Sequence, residues 1–151
     1  MTNWKDFAAE EPEFAGRVQQ RFTSQKQMTL ATLRRDGSPR ISGTEVTFTG
    51  EHVQIGMMPR SVKSFDVLRD RRLAVHSPTA DPPIDDPTAW EGDAKLAGYA
   101  IALADPDSAD PPGLFNIEII EVVMTSLGDP PDHLVIESWT PQRGYQLRHR
   151  R

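Results

Sequence analysis

Three residues near the middle of the chain have the types and spacing to hold an anion. Arg60, Ser61 and Lys63 lie in the stretch MMPRSVKSFDVLRD, where a strand-like run, His52–Met57, gives way to a helix. Ser61 can cap that helix by accepting a backbone N–H bond. Arg60 and Lys63 then place two positive charges at the positive end of the helix dipole, which is unfavourable by up to about 1 kcal/mol each. A bound phosphate reverses the sign, because free N–H groups and cations converge on it. The alternative is a pair of solvated side chains on an exposed turn. Val62, Phe65 and Leu68 recur at three-residue spacing, so the expected helix turns that apolar face inward.

The elements around this stretch are mostly strands. Residues 3–25 read as helical: Asn3 or Thr2 caps a first helix holding Trp4 and Phe7, and Pro12 suits the first position of a second. Phe14, Val18 and Phe22 form its apolar stripe. From Gln27 the period changes to that of a strand buried on much of both faces. Asp36-Gly37 signals a hairpin, a second strand follows at about Arg40–Phe48, and Gly50-Glu51 turns into a third. Arg72–Ser77, Lys95–Ala104, Phe115–Leu127 and His133–Trp139 are further strands. In Phe115–Leu127, Phe115, Ile117, Ile119 and Glu121 alternate with Ile120 and Val122. Proline-rich loops fill Pro78–Asp93, which Trp90 is placed to anchor, and Asp105–Gly113. At least six short strands at hairpin spacing, with few helices, point to a mainly β, antiparallel barrel in one domain of residues 1–151. Within it, 1–25 are helices, 26–140 the barrel and 141–151 a basic tail.

Composition narrows the function. The 151 residues carry 17 Lys and Arg against 22 Asp and Glu, a formal charge of −5. That disfavours a general nucleic-acid binder, which shows a basic face. With no Cys, thiolate catalysis and Cys-ligated metals are excluded. The amino-terminal segment lacks the pattern of a signal peptide and no run reaches membrane-spanning length, so the cytoplasm is the expected location. There is no dinucleotide fingerprint, P-loop, metalloprotease motif or nucleophile elbow. His52, His76, His133 and His149 are not spaced as a metal cluster, and His76 suits a structural role. Side chains that supply no chemistry themselves fit a protein whose cofactor carries the reaction.

LATLRRDGSPRISGTEV, VQIGMMPRSVKSFDVLRDRRLAVHS and GDAKLAGYAIAL together resemble the pyridoxamine-5′-phosphate-oxidase-like, FMN-binding split-barrel proteins. The likeness is strongest to the small actinobacterial branch of flavin- and deazaflavin-dependent reductases, and covers about residues 25–140. It implies an oxidoreductase acting on a small organic substrate, with FMN or, alternatively, a deazaflavin coenzyme. Arg60, Ser61 and Lys63 match the segment that binds the cofactor phosphate. Arg40, Ser42, Gly43 and Thr44 would run beside the ring system, Gly43 allowing close approach or else marking a bulge. Met57 and Met58 would face the ring, or for Met57 pack in the core. The resemblance also implies a homodimer with cofactors at the interface, so that Trp139 and Arg143 reach the partner's site. A deazaflavin's anionic tail would use Arg40 and the carboxy-terminal arginines; the acidic loops favour FMN. A non-catalytic flavin, deazaflavin or haem binder on the same fold is the alternative, with His76 or His133 as the axial ligand.

Overall fold

The computed structural model describes Met1–Arg151 throughout. Its helices are α1 (Trp4–Glu10), α2 (Pro12–Thr23) and α3 (Val62–Arg69). Eight strands follow as β1 (Met28–Leu33), β2 (Pro39–Phe48), β3 (Val53–Gly56), β4 (Arg72–His76), β5 (Asp93–Ala102), β6 (Leu114–Leu127), β7 (Leu134–Thr140) and β8 (Gly144–Arg150). One antiparallel sheet runs β3-β2-β1-β4-β5-β6-β7-β8. A further pairing of β3 with β6, through Ile55 and Phe115, closes the first six strands into a barrel. Closure removes the free edges those strands would otherwise expose. Strands β7 and β8 continue the sheet beyond the ring. No helix is long and apolar enough to cross a membrane.

Local chemistry sets the boundaries. Asn3 caps α1 by accepting from the Asp6 N–H at 2.9 Å, and the Asp6 carboxylate returns the bond to the Asn3 N–H at 3.2 Å, a reciprocal capping arrangement. Pro12 begins α2 as expected, and Phe14, Val18 and Phe22 are buried. Gly37 and Gly50 both adopt positive φ at the β1–β2 and β2–β3 turns, where a side chain would be strained. Trp90 anchors the first proline-rich loop by donating its indole N–H to the Ala80 carbonyl at 2.7 Å.

The core has two regions. Leu30, Val53, Ile55, Val75, Leu96, Phe115 and Ile117 fill the barrel. Trp4, Phe7, Phe14 and Trp139 form an aromatic cluster under α1 and α2, with Phe7 centred 5.1 Å from Trp4, 5.8 Å from Phe14 and 4.9 Å from Trp139. The Arg17 guanidinium ties α2 to β7, donating to Glu137 at 2.5 and 2.7 Å, and the Tyr145 hydroxyl donates to the same carboxylate at 2.6 Å.

Three sequence expectations are corrected. The alternation in β6 changes phase: Ala97 pairs with Glu121 but Gly98 with Ile119, leaving Ile120 as an exposed extra residue. This bulge brings Val122 and Met124 inward with Ile119. The basic tail is strand β8, paired along β7. Most consequentially, α3 does not turn Val62, Phe65 and Leu68 inward; they are 59, 46 and 37% exposed, while Ser64, Asp66 and Val67 are buried.

Phe7 is fully buried at the centre of the aromatic cluster. Phe7→Ala is therefore expected to cost about 3–5 kcal/mol, read as a lower urea midpoint with an unchanged slope.

Candidate functional site

The orientation of α3 follows from one buried carboxylate. Asp66 is 2% exposed. It accepts from the Thr32 hydroxyl on β1 at 2.7 Å, from Arg40 Nε on β2 at 2.7 Å and from Arg69 at 3.3 Å. Burial pushes its carboxyl pKa up, but the bonds from Arg40, Thr32 and Arg69 outweigh that and hold it below the usual range. A charge so satisfied fixes which side of the helix faces the barrel, because rotating α3 to bury Phe65 would leave Arg40 without its partner.

That rotation sets the geometry of the amino-terminal end of α3. The Ser61 hydroxyl accepts from the Ser64 N–H at 3.3 Å, and the Ser61 N–H bonds back to the Met58 carbonyl at 3.1 Å. The Phe65 N–H takes the Ser61 carbonyl at 3.1 Å. This leaves the Val62 and Lys63 N–H groups as the first-turn donors with no hydrogen-bond partner. The Lys63 ammonium donates to the Gly43 carbonyl of β2. Arg60 stands at φ 68°, a left-handed conformation that costs a non-glycine residue about 1–2 kcal/mol. Its guanidinium pairs with Asp110 at 3.0 Å. Ser61, Lys63 and Arg60 thus lie on one turn at this helix end, with Lys63 reaching β2 at Gly43 and Arg60 reaching Asp110.

The remaining expected residues divide. Gly43 pairs regularly with Thr29 and is not a bulge; a Cβ there would meet only the Gln27 side chain, at 3.6 Å. The Ser42 hydroxyl is buried without a hydrogen-bond partner. Thr44 is buried, its hydroxyl donating to the Gly56 carbonyl at 3.3 Å, so it does not face outward as a ring donor. Arg40 is committed to Asp66. Met57 packs against the core and lines a concavity of about 430 Å³ with Pro59, Leu103, Asp110 and Leu114, whereas Met58 is 79% exposed. The loop 103–113 forms one wall. Gly113 meets the β3–α3 turn there, its carbonyl accepting from the Met57 N–H at 2.8 Å. A Cβ on Gly113 would fall 2.4 Å from the Met57 carbonyl oxygen.

Trp139 and Arg143 do not join this group. Trp139 is 2% exposed beneath Phe7 in its own subunit, its indole N–H unpartnered. Its ring packs on Phe7 of α1, a consequence of aromatic packing from the other end of the chain. Arg143 is in the β7–β8 turn, its N–H donating to the Thr140 hydroxyl at 3.1 Å. The imidazoles are also engaged: His76 Nδ1 lies 2.8 Å from the Ser77 carbonyl, and His133 Nδ1 lies 2.7 Å from Asp132. Sequence reasoning missed Asp66 and Asp110. Asp66 carried a signal, a lone acid inside a helix at the flank of its apolar stripe.

Comparison with solved structures supports the fold. A pyridoxamine 5′-phosphate oxidase-related, FMN-binding protein from Nostoc punctiforme superposes with a TM-score of 0.60 at 12% identity, covering 93% of this chain and 96% of that one. PhzG from Burkholderia lata, solved with tetrahydrophenazine-1-carboxylic acid, gives 0.60 at 10% identity over 92 and 88% of the two chains. A putative pyridoxamine 5′-phosphate oxidase from Listeria innocua gives 0.53 at 14% identity over 76 and 96%. The chain therefore has the split-barrel fold of the pyridoxamine-5′-phosphate-oxidase-like proteins. No protein-family model matches the sequence, and no curated protein matches it.

The acid–base consequence is testable. Asp66 and Glu137 both have lowered pKa values; for Glu137 burial raises it, and bonds from Arg17 and Tyr145 more than offset that. Groups depressed in the folded state stabilise it above their unfolded values, about 4, and lose that contribution as pH falls through the folded values. Stability is expected to hold down to about pH 5 and to decline below about pH 4. Asp66→Asn is expected to flatten that decline while lowering stability at neutral pH, measured by urea unfolding across pH.

Proposed function

We propose that this chain is an FMN-binding oxidoreductase acting on a small organic substrate. The observation that carries the proposal is the amino-terminal end of α3, where the Val62 and Lys63 N–H groups are free beside the Lys63 and Arg60 cations. The donor set fits a phosphate monoester: helix amides and a cap hydroxyl supply directed bonds, and two cations offset the charge. The bland alternative of solvated side chains is disfavoured, because Lys63 spans to β2 and Arg60 is held in a strained conformation. Such strain collects at functional positions.

In this reading Ser61, Lys63 and Arg60 hold the phosphate. Lys63 exchanges the Gly43 carbonyl for it, and Arg60 exchanges Asp110. The outward face of β2 at Gly43 carries no side chain to obstruct a flat ring. When bound, the flavin supplies the electron or hydride transfer; the chain's own groups bind and orient it. Deazaflavin is the weaker choice, since Arg40 is tied to Asp66 and the carboxy-terminal arginines lie on or beside β8, outside the ring of six strands. A homodimer belongs to the same proposal. Val62, Phe65 and Leu68 face solvent on α3, and Ile41 and Met58, on the strand and turn that flank it, are also open. A second copy covering α3 would bury this apolar surface and shelter the cofactor.

Fluorescence titration with FMN tests the assignment. Lys63→Ala is expected to weaken binding by about 1.5–3 kcal/mol, the range of a charged hydrogen bond. Arg60→Gly removes a cation but relieves the left-handed strain, so FMN affinity should drop while the melting temperature holds or rises. Wild-type affinity in both variants would remove the phosphate from this helix end.

A further inference from the structure

A second positive feature lies at the opposite end of α3 from the proposed phosphate site. Arg34, Arg35, Arg69, Arg71 and Arg72 surround an open depression of about 650 Å³, with Asp36, Asp70 and Tyr99. Five arginines and two aspartates line it, a local excess of positive charge in a chain whose net charge is −5.

The surrounding backbone is fixed. The Arg34 N–H bonds the Ser38 carbonyl at 2.8 Å and the Gly37 N–H returns to the Arg34 carbonyl at 2.9 Å, setting the β1–β2 hairpin. The Arg71 carbonyl accepts from the Ala100 N–H at 2.7 Å, which holds Arg71 so that its guanidinium lies 5.6 Å from the Tyr99 ring centre.

Three of the five arginines have internal duties. Arg34 donates to the Pro39 carbonyl at 2.8 Å, Arg69 to the Leu33 carbonyl and Asp66, and Arg72 pairs with Asp70 at 2.7 Å. The two carboxylates are likewise occupied. Asp36 accepts from the Ser38 hydroxyl and N–H, which lower its pKa, and hydrogen bonds from Arg72 bring the Asp70 carboxyl down to about 2. Arg35 and Arg71 form no ion pair, so their charges are available to a ligand.

We propose that this depression binds a small molecule carrying clustered phosphate groups. Guanidinium forks match phosphate oxygens in pairs, and a ligand with several phosphates can engage Arg35 and Arg71 together with the neighbouring arginines. A concave site bounded by the hairpin, the end of α3 and β5 suits a compact ligand better than a nucleic-acid strand, as does the chain's acidity.

Calorimetric titration with sodium tripolyphosphate tests the proposal, using intact protein at low ionic strength and then in about 0.3 M salt, where exposed charge attraction is screened. Binding of one tripolyphosphate per chain, weakened by salt, is expected. Arg35→Ser combined with Arg71→Ser should weaken it about tenfold or more and leave FMN titration unchanged. Arg60→Gln combined with Lys63→Gln should leave tripolyphosphate binding intact. ATP without divalent metal separates the sources: tighter binding than tripolyphosphate identifies a nucleotide stacking near Arg71, and equal binding a free oligophosphate. No binding to wild type, equal binding by the Arg35/Arg71 variant, loss confined to the Arg60/Lys63 variant, or a preference for a short single-stranded oligonucleotide at equal phosphate concentration would each overturn the proposal.

Discussion

The Asp66 carboxylate, buried under α3, is the constraint on which the rest of the site depends. A buried charge is tolerated only when paired and hydrogen-bonded, and Asp66 obtains its partners from three places: Thr32 on β1, Arg40 on β2 and Arg69 on its own helix. Those partners hold α3 at one rotation about its axis. That rotation presents the amino-terminal turn to β2, where Lys63 reaches the Gly43 carbonyl, and turns Val62, Phe65 and Leu68 to solvent. One electrostatic requirement thus accounts both for the convergence of donors and for an apolar surface that suits a second subunit.

The barrel gives this constraint a rigid frame. Pairing of β3 with β6 completes the ring, and the β3–α3 turn is threaded against Gly113, where no larger residue fits without backbone movement. At the other side, α1 and α2 are clamped by the aromatic cluster and by Arg17 on Glu137. The strained Arg60 belongs to that β3–α3 turn, and a strained residue persists only where its surroundings determine its conformation.

Much of this was legible in the sequence because it is local. The Asn3 cap, the Phe14–Val18–Phe22 stripe, the Asp36-Gly37 turn, the Ser61 cap and most strand runs depend on residues within a few positions of one another. What was not legible depends on distant partners. The apolar spacing of α3 pointed to the wrong face because the residue that decides the matter, Asp66, finds Thr32 34 positions earlier. Trp139 is buried by Phe7 from the opposite end of the chain, and β8 was hidden because its polar sequence shows no alternation and is ordered by pairing with β7. Of the candidate site, Ser61 caps α3 as its position implied, with Arg60 and Lys63 on the same turn, while Arg40 and Thr44 are turned to internal bonds.

The most direct measurement is a crystal structure of the protein grown with FMN. The account predicts the phosphate against the Val62 and Lys63 N–H groups, Lys63 withdrawn from Gly43, Arg60 released from Asp110, and Phe65 covered by a second copy with Asp66 still bonded to Thr32 and Arg40. A phosphate seated elsewhere, or an α3 rotated to bury Phe65 in its own barrel, would contradict it.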